Sequence, residues 1–270
     1  FVVGGAAMVA AVRVLATGEH IRVRWRDVLP FTGVTIDLDP LGAWFVLAAA
    51  SVAIAASVYA VGYCDHALAG RSVQGTFPLF VATLVLVPAA GSVSTFLLLW
   101  ELMAMTSLVL VAAEHHERPA VASATVWYGI MTHLGFVAIL IALTLAATSA
   151  GGETFAALRS GAPELASGRA SAVFVLAAVG FGSKAGLVPL HVWLPRAHPE
   201  APSHVSALMS GAMVNLGVYG IVRLAFDFLD EGPRWWGLVL LGFGAASALF
   251  GILHALVASD LKVLLAYSTT

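Results

Sequence analysis

Along the chain, apolar residues gather in blocks of roughly 18 or more positions with at most one charge, parted by short polar stretches. A helix of that length crosses a hydrocarbon core of roughly 30 Å. Backbone N–H and C=O groups in lipid must be paired within the segment, and the blocks lack the ten-residue alternation of a membrane barrel. The pattern therefore predicts an all-α, polytopic transmembrane helix bundle. Its complete spans are expected at 41–63, 77–91, 94–113, 119–148, 170–194, 203–229 and 235–258. Residues 1–16 read as a partial span, and 17–40 as an extramembrane connection holding Arg22, Arg24 and Arg26. The end of that connection, from Gly33 to Asp39, alternates apolar and polar residues like a short strand or hairpin. The 149–169 loop, with Glu153, Arg159, Glu164 and Arg169, is the other sizeable polar stretch. The opening at Phe1 and the stop at Thr270, where a new amphiphilic segment begins, read as the ends of a fragment whose truncated bundle is 41–270.

Composition removes whole classes of function. Hydrophobic residues make up 60% and charged residues 10% of the chain, against roughly a quarter charged in soluble domains. A net charge of -2 without a basic run gives no footprint for nucleic acid. The single cysteine, Cys64, excludes an internal disulfide and a thiolate-ligated metal site. Redox chemistry is therefore expected in partner subunits, with no cofactor and no metal bound here. Assigning loops to alternate sides puts Arg22, Arg24, Arg26, Arg159, Arg169 and Arg234 on one face and Arg71, Arg118, Arg196 and Lys262 on the other. The positive-inside rule then favours the first face as cytoplasmic.

An ionisable side chain in the hydrocarbon is costly and marks function by default. Glu101, His133, Lys184 and His254 all fall inside apolar helical blocks. Lys184 lies in a span interrupted by Gly180, Gly182, Gly186 and Pro189, and Pro189 removes the helical partner of the Ala185 carbonyl. The helix is expected to break beside the lysine, as in transporters whose broken helices line an ion site. Desolvation weakens a lysine's hold on its proton and a nearby carboxylate strengthens it, so a Glu–Lys pair of variable separation can load and release a proton. The plain alternatives are a structural glutamate joining two helices and a lysine snorkelling to the interface. His133 and His254 admit both a buried structural role and a relay role. His191, His198 and His204 lack the i, i+4 spacing of a helical metal pair, and Glu114-His115-His116-Glu117 reads as a solvated loop.

The run Gly182-Ser183-Lys184-Ala185-Gly186-Leu187-Val188-Pro189-Leu190-His191-Val192-Trp193-Leu194-Pro195-Arg196-Ala197-His198-Pro199-Glu200-Ala201-Pro202-Ser203-His204 through Gly211 resembles the signature of the antiporter-like subunits of proton-pumping NADH:quinone oxidoreductase, Mrp antiporters and energy-converting hydrogenases. Trp100-Glu101-Leu102-Met103, the Tyr128–Gly135 stretch and Asp260–Thr269 match as well. The wording from Ala197 to Gly211 looks most like the hydrogenase-4 component B and formate hydrogenlyase branch. The resemblance implies the first repeat of an inverted-repeat fold, with a second repeat beyond Thr270. It implies that Glu101 and Lys184 form a proton-input pair. It also places the 17–40 connection outside the cytoplasm, opposite to the charge count, and the resemblance outweighs a charge difference of two. Where the family commonly has a second lysine, this chain has Asn215, which cannot carry a proton; the relay would then use water, His204, His254 or another path.

The resulting expectation is a proton-translocating membrane subunit of a hydrogenase-like or complex-I-like oxidoreductase in a bacterial inner membrane. Its partners would be other membrane subunits and a peripheral redox arm. The rivals are a Na⁺(K⁺)/H⁺ antiporter subunit of Mrp type and a non-conducting anchor of a hydrogenase complex. No nucleophile, metal or phosphate constellation suggests an active site within the chain itself.

Overall fold

A computed structural model describes residues 1–25, 28, 33–64, 71–114, 118–161, 165–229 and 232–270. Arg26, His115, His116, Glu117 and Glu164 lie outside the described residues. Among the described residues, seven helical stretches are long and apolar enough to cross a membrane. Helix α1 (Val2–Thr17) leads into strands β1 (Ile21–Trp25) and β2 (Val34–Leu38), an antiparallel pair with Ile21 opposite Leu38 and Trp25 opposite Val34. Helix α2 (Pro40–Tyr63) starts where the Asp39 side chain accepts the Gly42 amide at 2.8 Å and Pro40 takes the first turn. This is the N-cap and N1 chemistry that stops fraying.

Helix α3 (Arg71–Leu86) begins about two turns before the expected residue 77. It carries polar Ser72 and Gln74 and an internal Pro78 into the helix, so hydropathy alone misses its start. Helices α4 (Val93–Val111) and α5 (Pro119–Ser149) follow. The polar 149–169 stretch is not all loop: it folds the short helix α6 (Phe155–Gly161). Gly91 donates to Thr35 and accepts from Phe155, and Val93 donates to Glu153. These bonds knit β2, the start of α4 and α6 into one layer on the hairpin face.

Helix α7 (Ser167–Ala185) ends at the broken span. Gly186 adopts φ 75°, Leu187 N donates to Gly182 O at 2.9 Å and Gly186 N to Ser183 O at 3.3 Å. That is a Schellman cap, which needs the left-handed conformation glycine adopts freely. The break thus comes from Gly186, with Pro189 preventing resumption. A 3₁₀ turn (Leu190–Trp193) and α8 (Leu194–Glu200) complete the span.

The 203–229 span is also not one regular helix. It runs as α9 (Ser203–Leu208), a π turn (Met209–Met213), α10 (Val214–Val222) and a second π turn (Arg223–Phe228). Helices α11 (Arg234–Val257) and α12 (Leu261–Thr269) close the chain. The core lies between α4, α5, α7 and α10, around Trp100, Tyr128, Phe181, Trp193 and Tyr219.

Candidate functional site

The break in α7 leaves Lys184 in the last turn before Gly186, facing α5 and only 4% exposed. Its Nζ donates to the Tyr128 phenol at 3.0 Å. The ammonium also lies 5.1 Å from the Tyr128 ring centroid and 5.9 Å from that of Trp193, positions where the electron-rich faces favour a cation. The Tyr128 hydroxyl lies 2.6 Å from Ser107 Oγ on α4, which donates to Met103 O at 2.8 Å. A line of hydroxyls therefore leads from the lysine into α4.

Glu101 and Lys184 are not joined directly. Among the described residues the ion pair at Glu101 is with His133, whose Nε2 lies 3.0 Å from Oε1. The opposite ring nitrogen, Nδ1, sits 2.7 Å from Gly129 O in the preceding turn of α5. The carbonyl accepts from Nδ1, which orients the ring toward the carboxylate. Glu101 Oε2 and Thr132 Oγ1 are both buried without a hydrogen-bond partner. Thr132 shares a narrow cleft with Trp100, Gly135, Ser183 and Lys184. Thr132 Oγ1 is thus an orphaned acceptor within the lysine's own cleft, and Glu101 Oε2 a second orphaned oxygen on α4.

The remaining candidates lie apart from this cluster. Asn215 is exposed on α10 and donates to Gly211 O, one turn back along its own span, at 2.9 Å. His204 is buried between Phe77 and Tyr63, with Cys64 Sγ 3.8 Å from Nε2. His254 stacks on Phe250 at 3.9 Å, and its Nδ1 lies 2.9 Å from the Phe250 carbonyl.

Residues 90–270 match the family model for the NADH:quinone oxidoreductase/Mrp antiporter transmembrane region. The chain belongs to this family. It is a multi-pass membrane protein of the antiporter-like type. Hydrogenase-4 component B of Escherichia coli (strain K12) is 40% identical over 259 residues, covering 94% of this chain and 38% of that protein. An uncharacterized protein of Mycobacterium tuberculosis (strain ATCC 25618 / H37Rv) is 57% identical over 250 residues, 93% of this chain and 38% of its own length. A subunit of respiratory complex I from Thermus thermophilus superposes with a TM-score of 0.83 at 25% identity, over 98% of this chain and 56% of that one. The chain thus spans 38% of the length of these two curated relatives.

One group in this antiporter-like subunit escaped the sequence reading. Arg223 is 4% exposed and forks onto Asp39, with Nη2 2.6 Å from Oδ1 and Nη1 bonded to Oδ2. Nη1 also reaches Asp227 Oδ2 at 2.8 Å, and Nε donates to Tyr219 at 3.1 Å. Arg159 on α6 donates Nε to Asp227 Oδ1 at 2.7 Å, and Nη2 reaches Asp227 Oδ2 and Asp39 Oδ2, both at 2.9 Å. Burial pushes the Asp39 carboxyl up, but Arg223, the Gly42 amide and Arg159 together hold it below its ordinary value. The Arg159 guanidinium is held above its ordinary value, mainly by its hydrogen bond to Asp227. The visible signal was Arg223 and Asp227 at i, i+4 within an apolar span; pairing with Asp39, 184 residues away, had none.

Proposed function

We propose that this chain is part of a proton-translocating subunit in a hydrogenase-like or complex-I-like membrane oxidoreductase, sited in a bacterial inner membrane beside other membrane subunits and a redox arm. The carrying observation is Lys184: buried at a helix break, held by a phenol, with the Glu101–His133 pair on the neighbouring helices and, among the described residues, no carboxylate in direct contact. In this reading the ammonium moves between two settings. Held by Tyr128 it lies away from the carboxylate, and shifted across the Thr132 cleft it approaches Glu101. A carboxylate nearby favours the charged lysine and its absence favours release. Redox work in partner subunits would bias the two settings. Asn215, bonded to its own helix, takes no part.

The test is proton uptake by proteoliposomes of the whole complex, with Lys184→Ala compared to wild type at matched redox turnover. Uptake lost with turnover retained supports translocation through Lys184. Uptake that persists removes the reading and leaves the subunit as an anchor, and uptake replaced by sodium-dependent exchange moves it to the antiporter class.

A further inference from the structure

Toward the hairpin face, the surroundings of Lys184 change from hydroxyls to rings. One turn back along α7, Phe181 lies 5.3 Å from Trp100 and 6.0 Å from Phe96, and Phe155 stands 4.8 Å from Phe228. The gap left among Phe96, Phe155, Phe181, Tyr219 and Phe228 is about 10 Å³, at the lower limit of the room one water needs. The two guanidiniums cap this layer: Arg223 sits 5.8 Å from the Phe155 centroid and Arg159 6.0 Å from that of Phe228. Beyond them an open cavity of about 480 Å³, bordered by His20, Leu41 and Phe226, adjoins Asp39 and Asp227.

The ring of Asp39, Arg159, Arg223 and Asp227 is therefore the last layer between that cavity and the aromatic rings. Its chemistry does not suit proton hopping. Guanidinium does not release its proton in proteins. All four carboxylate oxygens are occupied: Asp39 Oδ1 by Gly42 and Arg223, Asp39 Oδ2 by Arg223 and Arg159, Asp227 Oδ1 by Arg159, and Asp227 Oδ2 by both arginines. Asp39 so engaged has no lone pair left at which to accept a proton in passing, and a proton taken at the one open lone pair, on Asp227 Oδ1, meets only guanidiniums that cannot pass it on.

We propose that the Asp39–Arg159–Arg223–Asp227 ring, seated on the Phe155–Phe181–Phe228 layer, is a proton-inert seal that denies Lys184 access to the hairpin face. Arg223 is its keystone, because it alone bonds Asp39, Asp227 and Tyr219. The seal gives the translocation path its one-sidedness, so this inference rests on the proposed function. A clamp that merely held α2, α6 and the end of the α10 span together would make the same bonds, and it predicts no leak that depends on Lys184.

The test uses the whole complex in proteoliposomes with an imposed pH gradient, no redox substrate and an entrapped pH dye. Arg223→Gln is expected to raise passive proton entry several-fold, and adding Lys184→Ala to it should return entry to the wild-type rate. Unchanged entry in assembled Arg223→Gln complex overturns the seal, as does a leak that Lys184→Ala leaves intact. If Arg223→Gln fails to assemble, Arg159→Gln at the ring's more exposed edge is measured in its place, with the same two outcomes. Lys184→Ala alone separates the hypotheses: if it stops turnover-driven uptake while Arg223→Gln stays tight, translocation stands and the seal falls.

Discussion

Lys184 donates to the Tyr128 phenol at 3.0 Å, while Glu101, the acid its family resemblance pairs it with, is held by His133. The lysine and the glutamate thus each have a local partner, and the distance between them is free to change without breaking a direct bond. Tyr128 is the group that sets the lysine's position in this conformation.

Tyr128→Phe keeps the ring and removes the hydroxyl. The ammonium then loses its hydrogen bond, a loss of about 1.5–3 kcal/mol for a bond to a charged group. Proton uptake per electron should fall while redox turnover persists, and thermal melting of the purified complex should shift downward. Uptake equal to wild type would show that the phenol is only packing.

The contact between α10 and α7 depends on two glycines. A Cβ at Gly217 would stand 2.5 Å from Ala185 N, and one at Gly220 2.2 Å from the Phe181 ring. The first obstacle is backbone and cannot turn aside. Gly217→Ala should destabilise by about 1–3 kcal/mol, as overpacking does, and lower the melting temperature. Gly237→Ala, inside α11 where nothing lies within 4 Å, serves as the control and should leave melting unchanged or raise it slightly, since alanine favours the helix.

Ser247 on α11 accepts the Val188 amide at 2.9 Å, just past the break in α7. Only 17% of the apolar stretch of α11 is buried, so this bond is one of few ties between that helix and the broken segment. Ser247→Ala leaves a backbone donor unpaired, at about 1–3 kcal/mol. Faster amide exchange at Val188 and Leu187 is expected by mass spectrometry, with little change in α4 or α5.

Asp39 makes stability depend on acid. Its folded carboxyl titrates below the ordinary 3.8, so its contribution is complete above that pH and is lost as pH falls through the folded value. Melting temperature should therefore drop as the pH is lowered from 5 toward 3, and Asp39→Asn should start lower and drop less. Parallel curves for the two proteins would show that other carboxylates carry the acid sensitivity.

Much of this protein could be read without its structure. Long apolar blocks dictate helices because lipid offers no partner for the backbone, and the family signature around Lys184 marks the broken span. The α3 start, helix α6 and the two π turns were not legible, since each departs from the hydropathy pattern in favour of tertiary contacts. Glu101, His133 and Lys184 stood out as ionisable groups in apolar surroundings. The hydroxyls around Lys184 did not, because Tyr128 and Ser107 show no such contrast until α4, α5 and α7 are packed together.

Arg223 makes the division plain. In the sequence it sits near the end of an apolar span, four residues from Asp227, and suggests at most a local ion pair. Only the packing of α2, α6 and the α10 span places Asp39 and Arg159 around it. The order of residues was enough for the membrane-spanning architecture, the family and the groups too polar for lipid, because burial of charge is costly wherever it occurs. Tertiary structure alone decided which polar groups meet, because hydrogen bonds act over about 3 Å between segments far apart in the chain.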